Sequence, residues 1–142
     1  MGYRSDIVIA FAFRTKEQID EAMAIYRMDP RVQEHDLEKV WTVRQWGEVW
    51  GLTYEQDSIK WYDNYNDVGG IQHMLHVVQD FDEQRGGNPE DEGAPLFPYA
   101  YRIVRVGEDD TDIEQDQDYN DSDLENELWD RIGILREINT SF

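Results

Sequence analysis

Residues 7–13 read IVIAFAF, an unbroken apolar run between Ser5-Asp6 and Arg14-Thr15. A strand turns alternate side chains to opposite faces of a sheet. One that is apolar at every position therefore needs cover on both faces. The run predicts a central strand, and the other elements can be placed around it.

Downstream, Thr15 and Gln18 make a capping-box pattern. Ile19, Ala22, Met23 and Tyr26 follow at helical spacing, so one helix face should pack on the sheet. Asp29-Pro30 stops that helix. Residues 30–39, with only Val32 and Leu37 as apolar anchors, suit a short helix or a loop equally. Segments 40–46 and 49–55 are rich in β-branched and aromatic residues and flank Gly47-Glu48, the pattern of a hairpin. Residues 58–62, SIKWY, extend its second strand or begin the crossover. Asp67 can cap a second helix, whose stripe is Val68, Ile71, Met74, Leu75, Val78 and Phe81 and whose end falls near Gln84. Gly69-Gly70 in its first turn permits close packing. The Gly- and Pro-rich residues 85–98 read as a loop. Residues 99–106, YAYRIVRV, alternate as a strand at the face or edge of the sheet. Ser122 and Glu125 repeat the capping-box pattern before Leu124, Leu128 and Ile132, Gly133 ends that helix, and 134–138 suit a last strand. The order predicts a single α+β domain over 1–142. Its expected form is a ferredoxin-like β-α-β-β-α-β plait with a mostly antiparallel sheet, helices on one face, and an appended C-terminal helix and strand.

Composition narrows the function. Hydrophobic residues make up 39% of the 142 and aromatics 13%, enough for a folded body. Thirteen basic residues face 32 acidic ones, for a net charge of −19. Such a surface repels phosphate backbones and anionic membranes, so neither direct nucleic-acid binding nor membrane binding is expected. Its natural complement is a basic protein or a cation. Cysteine is absent, which excludes thiolate zinc and cysteine nucleophiles and fits a reducing compartment. No signal peptide, myristoylation signal or membrane-length run is evident. The scarcity of lysine, with only Lys16, Lys39 and Lys60, also fits a general adaptation to salt.

The acidity is concentrated. Residues 107–123, GEDDTDIEQDQDYNDSD, hold nine acids and no Lys or Arg. Carboxylates on a folded body can compete with phosphates for Arg and Lys, through bidentate pairs above all. Glu108, Asp109, Asp110, Asp112, Glu114, Asp116 and Asp118 are thus the expected partner surface. Trp46, Trp50 and Trp61 are the expected apolar anchors, because rim charges mainly raise the on-rate. The bland counterpart is a solvated acidic loop with those tryptophans in the core. Asp116, Asp118, Asn120 and Glu127 match four calcium-loop positions, but Asp121 stands where that loop needs glycine. His73, His76 and Asp80 lie together on one helix face, where exposure explains them as well as a metal does. Neither pattern is adopted as a metal site. No nucleophile motif, phosphate loop or buried carboxylate pair emerges, so neither catalysis nor a cofactor is expected.

MGYRSDIVIAFAF at the start, DSIKWYDNYNDV and YRIVRVGEDDTDIE together resemble small uncharacterised proteins of bacteriophages and prophages. Those proteins share an MGYRSD-like start, a D-S-x-K-W-Y motif and a G-E-x-x-D-D-I-E-like segment after an isoleucine, which here is Val106. The resemblance implies a phage accessory protein acting in the host cytoplasm. With the acidic run, the expectation is a non-enzymatic protein that binds and inhibits a basic host protein handling nucleic acid, of the DNA-mimic or anti-defence type. Alternatives are a phage structural or assembly accessory, or a cation-binding module, with a homodimer left open.

Overall fold

The computed structural model describes residues 4–61, 66–84, 97–108, 112–134 and 138–140. The apolar run forms β1 (Ser5–Phe13). It is followed by α1 (Lys16–Tyr26), α2 (Pro30–His35) and a 3-10 turn at Leu37–Val40. The hairpin strands are β2 (Thr42–Trp46) and β3 (Val49–Ile59), and α3 (Asn66–Gln84) leads to β4 (Tyr99–Gly107). Next come β5 (Ile113–Tyr119), α4 (Ser122–Arg131), β6 (Ile132–Ile134) and β7 (Ile138–Thr140). The main sheet has five strands in the order β2-β3-β1-β4-β5, and every neighbouring pair is antiparallel. β1 and β2 therefore run parallel with β3 between them, and β3 and β4 run parallel with β1 between them. β6 and β7 pair as a separate small sheet.

β1 is central and buried on both faces, as its composition requires. Ile7, Ile9, Phe11 and Phe13 turn one way, into a core shared with Ile19, Tyr26, Val32, Met74 and Val78 of α1–α3. Val8, Ala10 and Ala12 turn the other way, against Leu124 and Leu128 of α4. The helices thus cover both faces. The helices before β4 share one face, as expected of them, and the appended α4, for which no face was expected, covers the other. Side-chain size separates the two faces. The α1–α3 face carries rings, with Phe11 packed on Phe13, Trp41 and Tyr101 at centroid distances of 5.7–6.0 Å. The α4 face carries alanines and Gly51. A Cβ at Gly51 would lie 2.4 Å from the Trp46 ring, so glycine is what lets that indole lie on the sheet.

Local signals mostly set the boundaries. The Thr15–Gln18 box forms, and Gln18 also donates to the Pro98 carbonyl at 2.8 Å. Residues 30–39 become a six-residue helix, stopped by Asp36 in the left-handed region at φ 54°, and then the 3-10 turn. α3 begins at Asn66, one residue before its expected cap. At Gly70 an added Cβ would meet Leu37 Cδ1 at 2.4 Å, so this glycine does allow close packing. Three expectations shift. The cap of α4 is Asp121, whose carboxylate accepts from the N–H groups of Asp123 and Leu124. β4 is interior, because β5 takes the edge. The single strand expected at 134–138 is replaced by β6 and β7.

Candidate functional site

The acidic run is an edge strand rather than a loop. β5 reads IEQDQDY, and its pairing with β4 sets Glu114 opposite Arg105, Asp116 opposite Ile103 and Asp118 opposite Tyr101. All three carboxylates share the face that carries α3. Gln115, Gln117 and Tyr119 take the other. The signal was present as strict alternation of acids over 114–118. Such a signal lies outside the usual strand pattern, which alternates apolar with polar residues. Two residues of strand advance about 6.8 Å, which is the spacing of the three acids.

Around the start of β5, three segments distant in sequence meet. Arg105 is clamped: Nη2 donates to Glu114 at 2.7 Å and to Asp112 at 2.7 Å, and Nη1 donates to Ser5 Oγ at 2.9 Å. These bonds, Glu114's first and then Asp112's, raise the guanidinium's pKa against the opposing effect of burial. Next to it, the Arg4 N–H donates to Glu108 at 2.9 Å and Arg4 Nη1 donates to the Ser58 carbonyl at 2.7 Å. The Ser58 N–H donates to Asp6 at 2.9 Å, with Ser58 itself left-handed at φ 55°. Segments distant in sequence thus contribute Arg4, Ser58, Glu108 and Glu114 to one end of the sheet.

A cleft of about 490 Å³ opens on the α3 side of this end. Its floor crosses three strands through Ile7, Ile103 and Arg105 to Glu114 and Asp116, and Trp61, Gln72, Ile113 and Gln115 complete the lining. Asp116 is exposed, and the one hydrogen bond to its carboxylate among the described residues is from the N–H of Gln117, at 2.9 Å. Asp118 accepts from Tyr99 Oη at 2.7 Å and from Gln79 Nε2 at 3.2 Å. At the far end of β5, Arg14 holds Asp121 through two 2.8 Å hydrogen bonds and reaches Asp123 at 3.2 Å. Burial would raise the Asp121 carboxyl, but Arg14 and the helix N–H groups hold it below its ordinary value.

The expected partner residues divide accordingly. Asp112 and Glu114 are neutralised in part by Arg105, Asp118 is held by a phenol and an amide, and Glu108 accepts a backbone N–H. Asp116 is left as the acceptor facing outward. Asp109 and Asp110 lie outside the described residues. Even so, the seven described acids from Glu108 to Asp123 are matched, in the ion pairs seen among the described residues, by two arginine side chains. The tryptophan anchors need correction. Trp46 is buried on the α4 face beneath the Arg131 guanidinium, 4.8 Å from its ring. Trp50 packs half-buried on the core of the opposite face. They belong to β2 and β3, about 19 and 14 Å from β5 at ordinary strand spacing. Only Trp61 joins the acids. The exposed indole is Trp129, stacked on Arg102 at 4.0 Å, and nothing local in the sequence set it apart.

The metal-like spacings dissolve on folding. Asp116 and Asp118 sit on an extended strand, Asn120 binds the Tyr99 N–H and the Phe97 carbonyl, and Glu127 pairs with Arg131. His73 turns inward, stacked on Tyr26 and 3.6 Å from Asp29, while His76 and Asp80 stay exposed. Burial lowers the His73 pKa in spite of Asp29. Among the described residues no three His, Cys, Asp or Glu side chains gather around a common point, and no helix is long and apolar enough to cross a membrane.

The field of the acidic strand reaches Tyr101. Burial, then the charges of Asp116 and Asp118, push its phenol up to about 12. Burial likewise takes Tyr26 to about 12. Both folded values exceed the ordinary 10.0. The stability they contribute is therefore complete below pH 10 and declines as pH rises toward about 12. The expected result is a melting temperature that falls across this window, less steeply in Tyr101→Phe. A variant that follows the parent curve would remove Tyr101 from the account.

No protein-family model, curated protein or solved structure matches the chain.

Proposed function

We propose that this is a non-enzymatic acidic phage accessory protein that binds a basic host protein handling nucleic acid, and inhibits it in the cytoplasm of the infected cell. The observation that carries the reading is the placement of Asp116 and its neighbours. A paired edge strand holds them in fixed geometry, with more carboxylate than the arginines among the described residues neutralise. Magnitude limits the claim. Acids every 6.8 Å or so carry about half the linear charge of one DNA strand, which has a phosphate per 3.4 Å of axis. The strand therefore competes for a few basic side chains of a partner rather than copying a whole DNA footprint. We also read the first four strands with α1 and α3 as a ferredoxin-like plait, a reading supported by the order 4-1-3-2 from β4 to β2 and by the two crossovers.

The test uses a tagged copy, host lysate and mass spectrometry, with Asp109, Asp110 and Asp116 reversed to lysine. Asp112 is left alone because it holds Arg105. The expected partner is basic, is lost from the variant, and binds the parent at least roughly tenfold more weakly at about 200 mM salt than at about 50 mM. Unchanged retention by a variant of parental melting temperature sinks the proposal. Retention indifferent to salt favours an apolar assembly role instead.

A further inference from the structure

We infer that the cleft beside β5 is an arginine-binding site, taking a short arginine-bearing segment of the basic partner. This rests on the function proposed above and specifies its contact. Three features of the cleft select that occupant. Its floor is apolar at Ile103, with Ile7 buried beneath, which suits the methylene stem of a long cationic side chain. Trp61 contributes an indole, on which a planar guanidinium stacks better than an ammonium packs. Asp116 offers carboxylate oxygens with most of their acceptor capacity unused among the described residues. Arg105 also lines the cleft, but two carboxylates clamp it, so the wall as a whole stays negative. At about 490 Å³ the space holds more than one side chain, which is why the occupant is a segment.

The experiment titrates the full chain by calorimetry with a capped Gly-Arg-Gly-Arg-Gly peptide and with its lysine counterpart. Parent, Trp61→Leu and Asp116→Asn are compared, each checked by circular dichroism. Asp116 is exposed, so its variant tests the site even if Trp61→Leu fails to fold. The expected result is binding of the arginine peptide by the parent, weakened about three- to tenfold in either variant. The lysine peptide should bind the parent less tightly. Equal affinity for both peptides, undiminished in the folded variants, overturns the site. If host-partner capture still falls with salt and with charge reversal in that case, the basic-partner reading stands without the cleft. If that capture is also indifferent to charge, both fail.

Discussion

Replacing Phe11 with alanine is expected to cost about 3–5 kcal/mol of folding stability. Phe11 is fully buried at the middle of the central strand, paired with Leu52 on one side and Tyr101 on the other. Its ring contacts Phe13, Trp41 and Tyr101, so truncation opens a cavity where β1, β4 and the turn before β2 meet. Phe13 and Tyr101 sit on paired strands and cannot easily collapse into the space. A domain of this kind is stable by about 5–15 kcal/mol, so the loss takes a large share of the total. Urea unfolding measures it through the midpoint at constant slope. Met28→Ala, at a position 64% exposed, should stay within about 0.5 kcal/mol of the parent. A Phe11→Ala loss below about 1 kcal/mol would mean that the ring face of β1 does not hold the core together.

The second large effect is expected at Arg102, the one buried arginine among the described residues. It lies on the α4 face, where Nη1 donates to the Ile132 carbonyl at 2.9 Å and Nη2 to Gln115 at 2.8 Å. Trp129 covers its guanidinium. Among the described residues no carboxylate pairs with it, its Nε has no partner, and burial lowers its pKa. Arg102→Ala removes two hydrogen bonds, the indole contact and the buried stem, at a cost of about 2–4 kcal/mol. Arg102→Met keeps the apolar volume and removes a desolvated charge, so it should recover roughly half of that loss or more. If methionine proves as damaging as alanine, the polar contacts dominate and packing does not. The comparison also tests how α4 is fastened, because Ile132 follows directly on that helix.

How far each of these sites could be read in advance follows from the range of the interactions involved. Phe11 was legible. The alternation of large Ile and Phe with small Val and Ala inside IVIAFAF already separates a ring-filled face from a tight one. Arg102 was not, since within YAYRIVRV it looks like any polar position on a half-solvated strand. Its burial depends on α4 folding back across that face. The same event covers the second face of β1, which its composition requires but which no local pattern assigns to α4. β5 lay between these cases. Its composition was plain, but an all-polar strand can be recognised only beside the strand it pairs with. Trp46, Trp50 and Trp61 were equal candidates in sequence, and the strand order alone put Trp61 next to the acids.

The sequence by itself determined the central strand, the helix faces and most of their boundaries. These follow from periodicity and capping, which act within a few residues. It also determined the charge imbalance, which no folding can remove. Only the tertiary structure decided which carboxylates remain available. The Arg14 guanidinium meets Asp121 across more than a hundred residues, and Glu108 receives only the backbone N–H of the equally distant Arg4. The physical reason is that an ion pair depends on distance in space, and a local pattern carries no record of which distant arginine the fold will bring near.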